Sequence, residues 1–207
     1  MEITAAMVKE LREMTGAGPL DCKKALQENN GDMSAAAEFL RQKGLAKAAK
    51  KAGRTANEGI VQTYQHHDGR LAVMVEVNCE TDFVANTEPF KHFAHQLSLH
   101  IANLAPRYLT RDDVPAQVVE AERETQRQRA LQEGKPENVV DKMIDGRMNK
   151  FFEEICLMEQ PFIMDDKQTI EDLRKAVVAE VGENVIVRRF ERFELGEAGD
   201  EAPEVAD

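Results

Sequence analysis

The chain has 207 residues, 42% of them hydrophobic, enough for one domain or two small ones but not for several large modules. Its net charge of -11 argues against nucleic acid or anionic membrane as a main partner, since both need a positive contact surface. Cys22, Cys79 and Cys156 make no CxxC pair and no disulfide framework, and with no transmembrane-length stretch and a polar start they predict a cytoplasmic protein.

Residues 1–44 predict three short helices. Thr4 can cap the first, whose apolar positions Met7, Val8, Leu11 and Met14 follow helical spacing. Gly16 and Gly18 end it, and Pro19 suits the first turn of the second, which carries Cys22, Ala25 and Leu26 and stops at Asn30-Gly31. Asp32 caps the third, which presents Ala36, Phe39 and Leu40 before Gly44. Residues 45–59 are Ala- and Lys-rich and continue as helix or linker.

Two β-rich runs follow, Ile60 to Tyr64 and Leu71 to Val77, joined by His66-His67-Asp68-Gly69-Arg70. Asp-Gly between such runs predicts a hairpin. Leu71, Val73, Val75 and Val77 share one buried face. Phe90, Phe93, Leu97, Ile101 and Leu104 mark an amphipathic helix that Pro106 ends. Residues 115–133 and 136–159 predict two more helices. Thr169 with Asp172 reads as a capping box for a helix that Gly182 closes, and residues 184–195 form a final strand. Helices mixed with a few mostly antiparallel strands predict an α+β fold with a small antiparallel sheet. From Gly196 the chain is acidic and small-residue-rich, which predicts disorder.

Several stretches offer chemistry. Cys79 with His66 or His67 could make a thiol nucleophile and base, but no orienting third group or oxyanion-type glycine run accompanies them, so a structural cysteine is expected. His92, His95 and His100 lack the spacing of a metal set and read as a solvated face, so no metal is assigned. Gly16-Ala17-Gly18 is no phosphate-binding loop, and no cofactor is assigned. The basic run Lys43, Lys47, Lys50, Lys51 and Arg54 lacks interleaved aromatics for base stacking and reads as a solvated linker helix, without direct nucleic-acid contact.

The stretch Asn78 to Ala85 is the most informative. It joins a strand-like run to a helix-like run and puts an acidic residue beside a large aromatic on that connection. Two readings stand: an Asp-capped turn with Phe83 folded onto the core, or a contact site for a partner.

With Val8-Lys9-Glu10-Leu11-Arg12, Thr15-Gly16-Ala17-Gly18, Asp21-Cys22-Lys23-Lys24-Ala25-Leu26, Glu159-Gln160-Pro161-Phe162 and Val187-Arg188-Arg189-Phe190, this stretch resembles the translation elongation factor Ts family from about Ile3 to Leu195. The resemblance implies a three-helix ubiquitin-associated-like domain with linker helix at 1–54, an α+β dimerisation or core domain at 55–195 and a disordered acidic tail at 196–207. It implies a guanine-nucleotide exchange factor, not an enzyme, whose partner is elongation factor Tu in its GDP-bound and nucleotide-free forms. Thr81, Asp82, Phe83 and Val84 would disturb that partner's magnesium and phosphate site, while Arg12, Pro19 and Leu20 would dock the N-terminal domain.

The chain departs from the family pattern at Pro19-Leu20, where two bulky apolar residues are common, and at Asn86, where a basic residue is common. It is read as lacking the duplicated core and coiled-coil insertion of longer members. Short members can pair two chains, so a homodimer is among the implied partners, and no membrane is. The rival functions are a non-catalytic adaptor built on the N-terminal helices and a thiol enzyme centred on Cys79.

Overall fold

The computed structural model describes residues 3–134 and 137–197; the tail assigned to 196–207 lies outside the described residues from 198 onward. Thr4 caps α1 (Ala5–Thr15) by accepting the Met7 amide, and Gly16 closes it at φ 64°, a left-handed conformation that a Cβ disfavours. Pro19 opens α2 (Pro19–Glu28), and the Asp32 carboxylate caps α3 (Met33–Ala49) by accepting the Ala35 amide at 2.9 Å. These helices enclose a small core of Leu11, Cys22, Ala25, Leu26, Ala36 and Leu40.

β1 (Glu58–Gln65) and β2 (Leu71–Cys79) form the hairpin that Asp68-Gly69 predicts. A four-residue helix, α4 (Asp82–Ala85), and the long α5 (Glu88–Leu104) follow. Next, α6 (Ala116–Gln132) and α7 (Glu137–Ile155) pack on each other around Ala130, Val140, Ile144 and Met148. Arg147 pairs with Glu133 across them at 2.8 Å. This helical pair corrects the expectation that a coiled-coil-like insertion is absent. A small hairpin of β3 (Pro161–Phe162) and β4 (Asp165–Thr169) leads into α8 (Ile170–Val181), opened by the Thr169–Asp172 capping box and closed by left-handed Gly182. The chain ends in β5 (Ile186–Glu194).

The main sheet runs β1-β2-β5, antiparallel throughout, with β2 central, so the architecture is α+β. Alternation sends Val73, Val75 and Val77 inward, where Phe90, Phe93, Leu97 and Ile101 of α5 and Ile170, Val177 and Val178 of α8 cover them. Leu104 ends the predicted stripe and is 41% exposed, past the edge of that core.

Gly44 does not stop the third helix. It lies inside α3 where that helix crosses α8, and a Cβ there would stand 3.1 Å from the Ala179 Cβ. The missing side chain allows close helix packing. The β3–β4 hairpin escapes sequence reading because Pro161 to Thr169 has little β-branched alternation.

His100, grouped with the solvated histidines in the sequence, is fully buried on α5. Its Nδ1 accepts the Ile163 amide at 3.3 Å, so Nε2 carries the proton and donates to Gln160 Oε1 at 2.9 Å. Burial holds the imidazole below its ordinary pKa. Below pH of about 6.5 the unfolded chain therefore takes a proton that the native chain resists. The contribution of His100 is complete above that pH and is lost as the pH falls toward the depressed native value. We expect stability to fall as the pH is lowered below about 6.5, with a flatter slope in His100→Gln. Thermal unfolding across that range reads it, and equal slopes in the two proteins would remove His100 as the cause.

Candidate partner-binding site

The corner between β2 and α5 is assembled from three distant parts of the chain. Thr81 has extended backbone and caps α4, its hydroxyl accepting the Val84 amide at 3.4 Å. The same hydroxyl donates to Glu183 Oε1 at 2.8 Å, while Glu183 Oε2 accepts the amides of Glu80 at 3.1 Å and Thr81 at 3.0 Å. Glu80 reaches the other way. Its Oε1 accepts the Asn184 amide at 2.7 Å and its Oε2 pairs with Arg54 at 3.5 Å. The Asn184 side chain donates to the Arg54 carbonyl at 2.7 Å, tying in the segment after α3.

On this corner Thr81, Asp82 and Phe83 are exposed, Phe83 to 78%. Phe83 does not fold back onto the core, and Thr81, not Asp82, caps the turn. Val84 is placed differently from its three neighbours: it is 5% exposed and packs with Ala85 into the main core. Its side chain anchors the turn from below. Asn86 returns its side-chain amide to the Asp82 carbonyl at 3.0 Å, closing the last turn of α4.

The other candidates lie on the bundle. Arg12 stands in the last turn of α1, and Pro19 and Leu20 in the first turn of α2, all exposed, with Leu20 at 76%. Met14 beside them is 61% exposed.

The basic run is largely occupied within the fold. Lys43 and Lys47 hold Asp21 at 2.9 and 3.2 Å, Lys51 donates to the Gly182 carbonyl, and Arg54 reaches Glu80. A cleft of about 550 Å³ separates the α1–α2 loop from α8 and β4, and charges along it, such as Asp21 with its two lysines and Glu38 with Arg41, are already paired.

Cys79 is buried, donates to the Thr81 carbonyl at 3.1 Å, and has its pKa pushed up to about 11 by burial and by the nearby Glu183 carboxylate. His66 follows the far end of β1, opposite Leu71, so eight strand positions at about 3.4 Å each, roughly 27 Å, part it from Cys79. A thiol–imidazole pair cannot form there. His92 and His95 are exposed on α5, and among the described residues no cluster of three His, Cys, Asp or Glu stands ready for a metal ion. Among the same residues no helix is long and apolar enough to cross a membrane.

Glu183 and Asn184 are the members of this corner that sequence reading misses. They sit past the end of α8, and nothing local in their sequence points at a turn about a hundred residues earlier.

Comparison with known proteins agrees with this architecture. The family model described as Elongation factor TS matches residues 44–197. Elongation factor Ts of Carboxydothermus hydrogenoformans is 60% identical over 195 residues, which is 94% of this chain and 90% of that protein. Elongation factor Ts of Thermoanaerobacter sp. (strain X514) is 57% identical over 195 residues, covering 94% of this chain and 96% of that protein. With a model covering most of the chain and relatives matched along nearly their full length, the chain belongs to the elongation factor Ts family.

Proposed function

We propose that this protein is a guanine-nucleotide exchange factor that acts in the cytoplasm on elongation factor Tu, meeting it in both GDP-bound and nucleotide-free forms. Family membership supports the activity. The observation that carries the site is Phe83, a large apolar ring 78% exposed on a turn whose backbone is fixed from both sides. An aromatic held out to solvent on a fixed support is the kind of group that anchors a partner contact.

The physical logic is linkage. A wedge that fits only a rearranged partner lowers nucleotide affinity by the factor by which nucleotide lowers its own affinity. Phosphates are held by magnesium and helix-terminus amides through dense charge complementarity, so a small displacement of those groups removes much of the hold. Thr81 and Asp82 flank the ring with polar groups, and Val84 fixes its support. Residues 1–54 form the docking unit, with Arg12, Pro19 and Leu20 as its contacts. No bond is made or broken on this chain, so it acts by binding rather than as an enzyme. A hundredfold acceleration of GDP release needs about 2.7 kcal/mol of selective stabilisation, within reach of one aromatic anchor and a few polar contacts. Stopped-flow release of fluorescent GDP from elongation factor Tu tests this. Acceleration at micromolar protein is expected, and an unchanged release rate would overturn it.

The reading extends to a homodimer. Val61, Met74 and Phe193 are 62%, 47% and 64% exposed on the uncovered face of the main sheet, one on each strand. Glu76 and Arg189 stand side by side at 2.8 Å on that face, so it offers both charge signs to a second copy related by a two-fold axis. Light scattering should return twice the chain mass, and Met74→Lys should return the single mass by placing an unpaired charge in the contact. A single mass for the unmodified chain would remove the dimer.

A further inference from the structure

We propose that Glu183 is the positioning residue of the exchange turn: its carboxylate sets the aim of Phe83 without touching the partner. The proposal rests on the reading of Phe83 as the wedge.

A helix as short as α4 cannot hold its own geometry, because nucleation costs more than a single turn returns. Something outside the turn must fix where it starts. Val84 and Ala85 fix its underside by burial. Its entry is fixed by Glu183, which takes three hydrogen bonds of 2.8 to 3.1 Å from Glu80 and Thr81, the two residues just before the helix. A carboxylate suits the task because it only accepts and has room for three donors at once. The Thr81 hydroxyl gives its one proton to Glu183 Oε1, so only its lone pairs remain to face the Val84 amide, and the cap orientation is dictated from Glu183.

The support is itself held. Glu183 directly follows Gly182, the left-handed end of α8, and its neighbour Asn184 donates its amide to Glu80. Two acidic side chains thus cross between two corners, each capturing the other's backbone. Thr81 is exposed, so water can replace Glu183 on the freed donors. Removing the carboxylate therefore loosens the turn rather than leaving buried polar groups unpaired.

The test uses the full chain with elongation factor Tu loaded with fluorescent GDP, following release against factor concentration. Glu183→Ala is expected to lower the maximal release rate about tenfold or more, the scale on which misplacement by an ångström acts. The half-saturating concentration should move little, because the bundle contacts are untouched. Glu183→Gln should restore most of the rate, since its oxygen still accepts both amides. In a Phe83→Ala background Glu183→Ala should cost nothing further, because it acts through that ring. Losses that multiply in the double variant, or full activity in Glu183→Ala, would overturn the positioning role while leaving Phe83 as the wedge. If instead Phe83→Ala alone is fully active, the wedge reading falls and takes this proposal with it. Should Glu183→Ala fail to fold, Glu183→Asp answers the same question, since the shorter side chain draws the carboxylate back from the same three donors while Thr81 and Phe83 stay unchanged. A loss that multiplies with that of Phe83→Ala would overturn the proposal there as well.

Discussion

Phe83→Ala is expected to cut the acceleration of GDP release about thirtyfold while leaving the melting temperature nearly unchanged. The magnitude follows from an aromatic anchor worth about 2 kcal/mol at a contact, converted at about 1.4 kcal/mol per tenfold. The separation of the two readouts follows from exposure: the ring is 78% accessible in the isolated chain and contributes little to its core. Exposed substitutions typically move stability by under about 0.5 kcal/mol, which for a chain of this length is about 1 to 2 °C. Stopped-flow release and thermal unfolding on the same preparation decide the matter. Unchanged acceleration would sink the wedge. A large drop in melting temperature would show that the ring supports its own fold. Leu20→Ala on the bundle should behave differently if the proposed docking role holds, raising the concentration needed for half-maximal release while sparing the maximal rate.

The elements that local chemistry dictates were legible in the sequence. Asp68-Gly69 between alternating runs specifies the hairpin, and Thr169 with Asp172 specifies the start of α8, because each depends on residues within a few positions. The turn around Phe83 was legible only as two alternatives, a ring folded onto the core or a contact site, and the 78% exposure of the ring removes the first. What the sequence concealed depends on crossings. Gly44 reads as a helix end until α8 is known to press against it, and His100 reads as one more surface histidine until Gln160 and Ile163 close over it. The lysines from Lys43 to Lys51 read as a solvated basic face until Asp21 and Gly182 are found to occupy three of them. The seat of the candidate site is the extreme case: the Thr81 cap is local, but the carboxylate that orients it comes from the far side of the core.

Gly59→Ala should be the most damaging small substitution near the site, costing about 3 kcal/mol or more and lowering the melting temperature by about 10 °C. Gly59 lies on β1 at φ 149°, opposite Asn78 on β2. A Cβ there would meet the Val77 carbonyl oxygen at 2.1 Å and the Asn78 Cα at 2.7 Å. Both obstacles are backbone of the central strand, so no side-chain rotation relieves them, and strand separation is the remaining response. Backbone strain of this kind costs about 1 to 3 kcal/mol, and overpacking adds a similar amount. The damage falls at the end of the hairpin that delivers Cys79 and Thr81 to the corner, where the Asn78 side chain also donates to the Glu58 carbonyl at 3.3 Å. Stability and exchange should therefore fall together, unlike in Phe83→Ala. Amide hydrogen exchange should place the loosening in residues 58–60 and 77–81 before it reaches α5. Melting behaviour equal to that of the unmodified chain would mean that β1 can shift away from β2 at no cost, and that the close approach at Gly59 does not hold the corner.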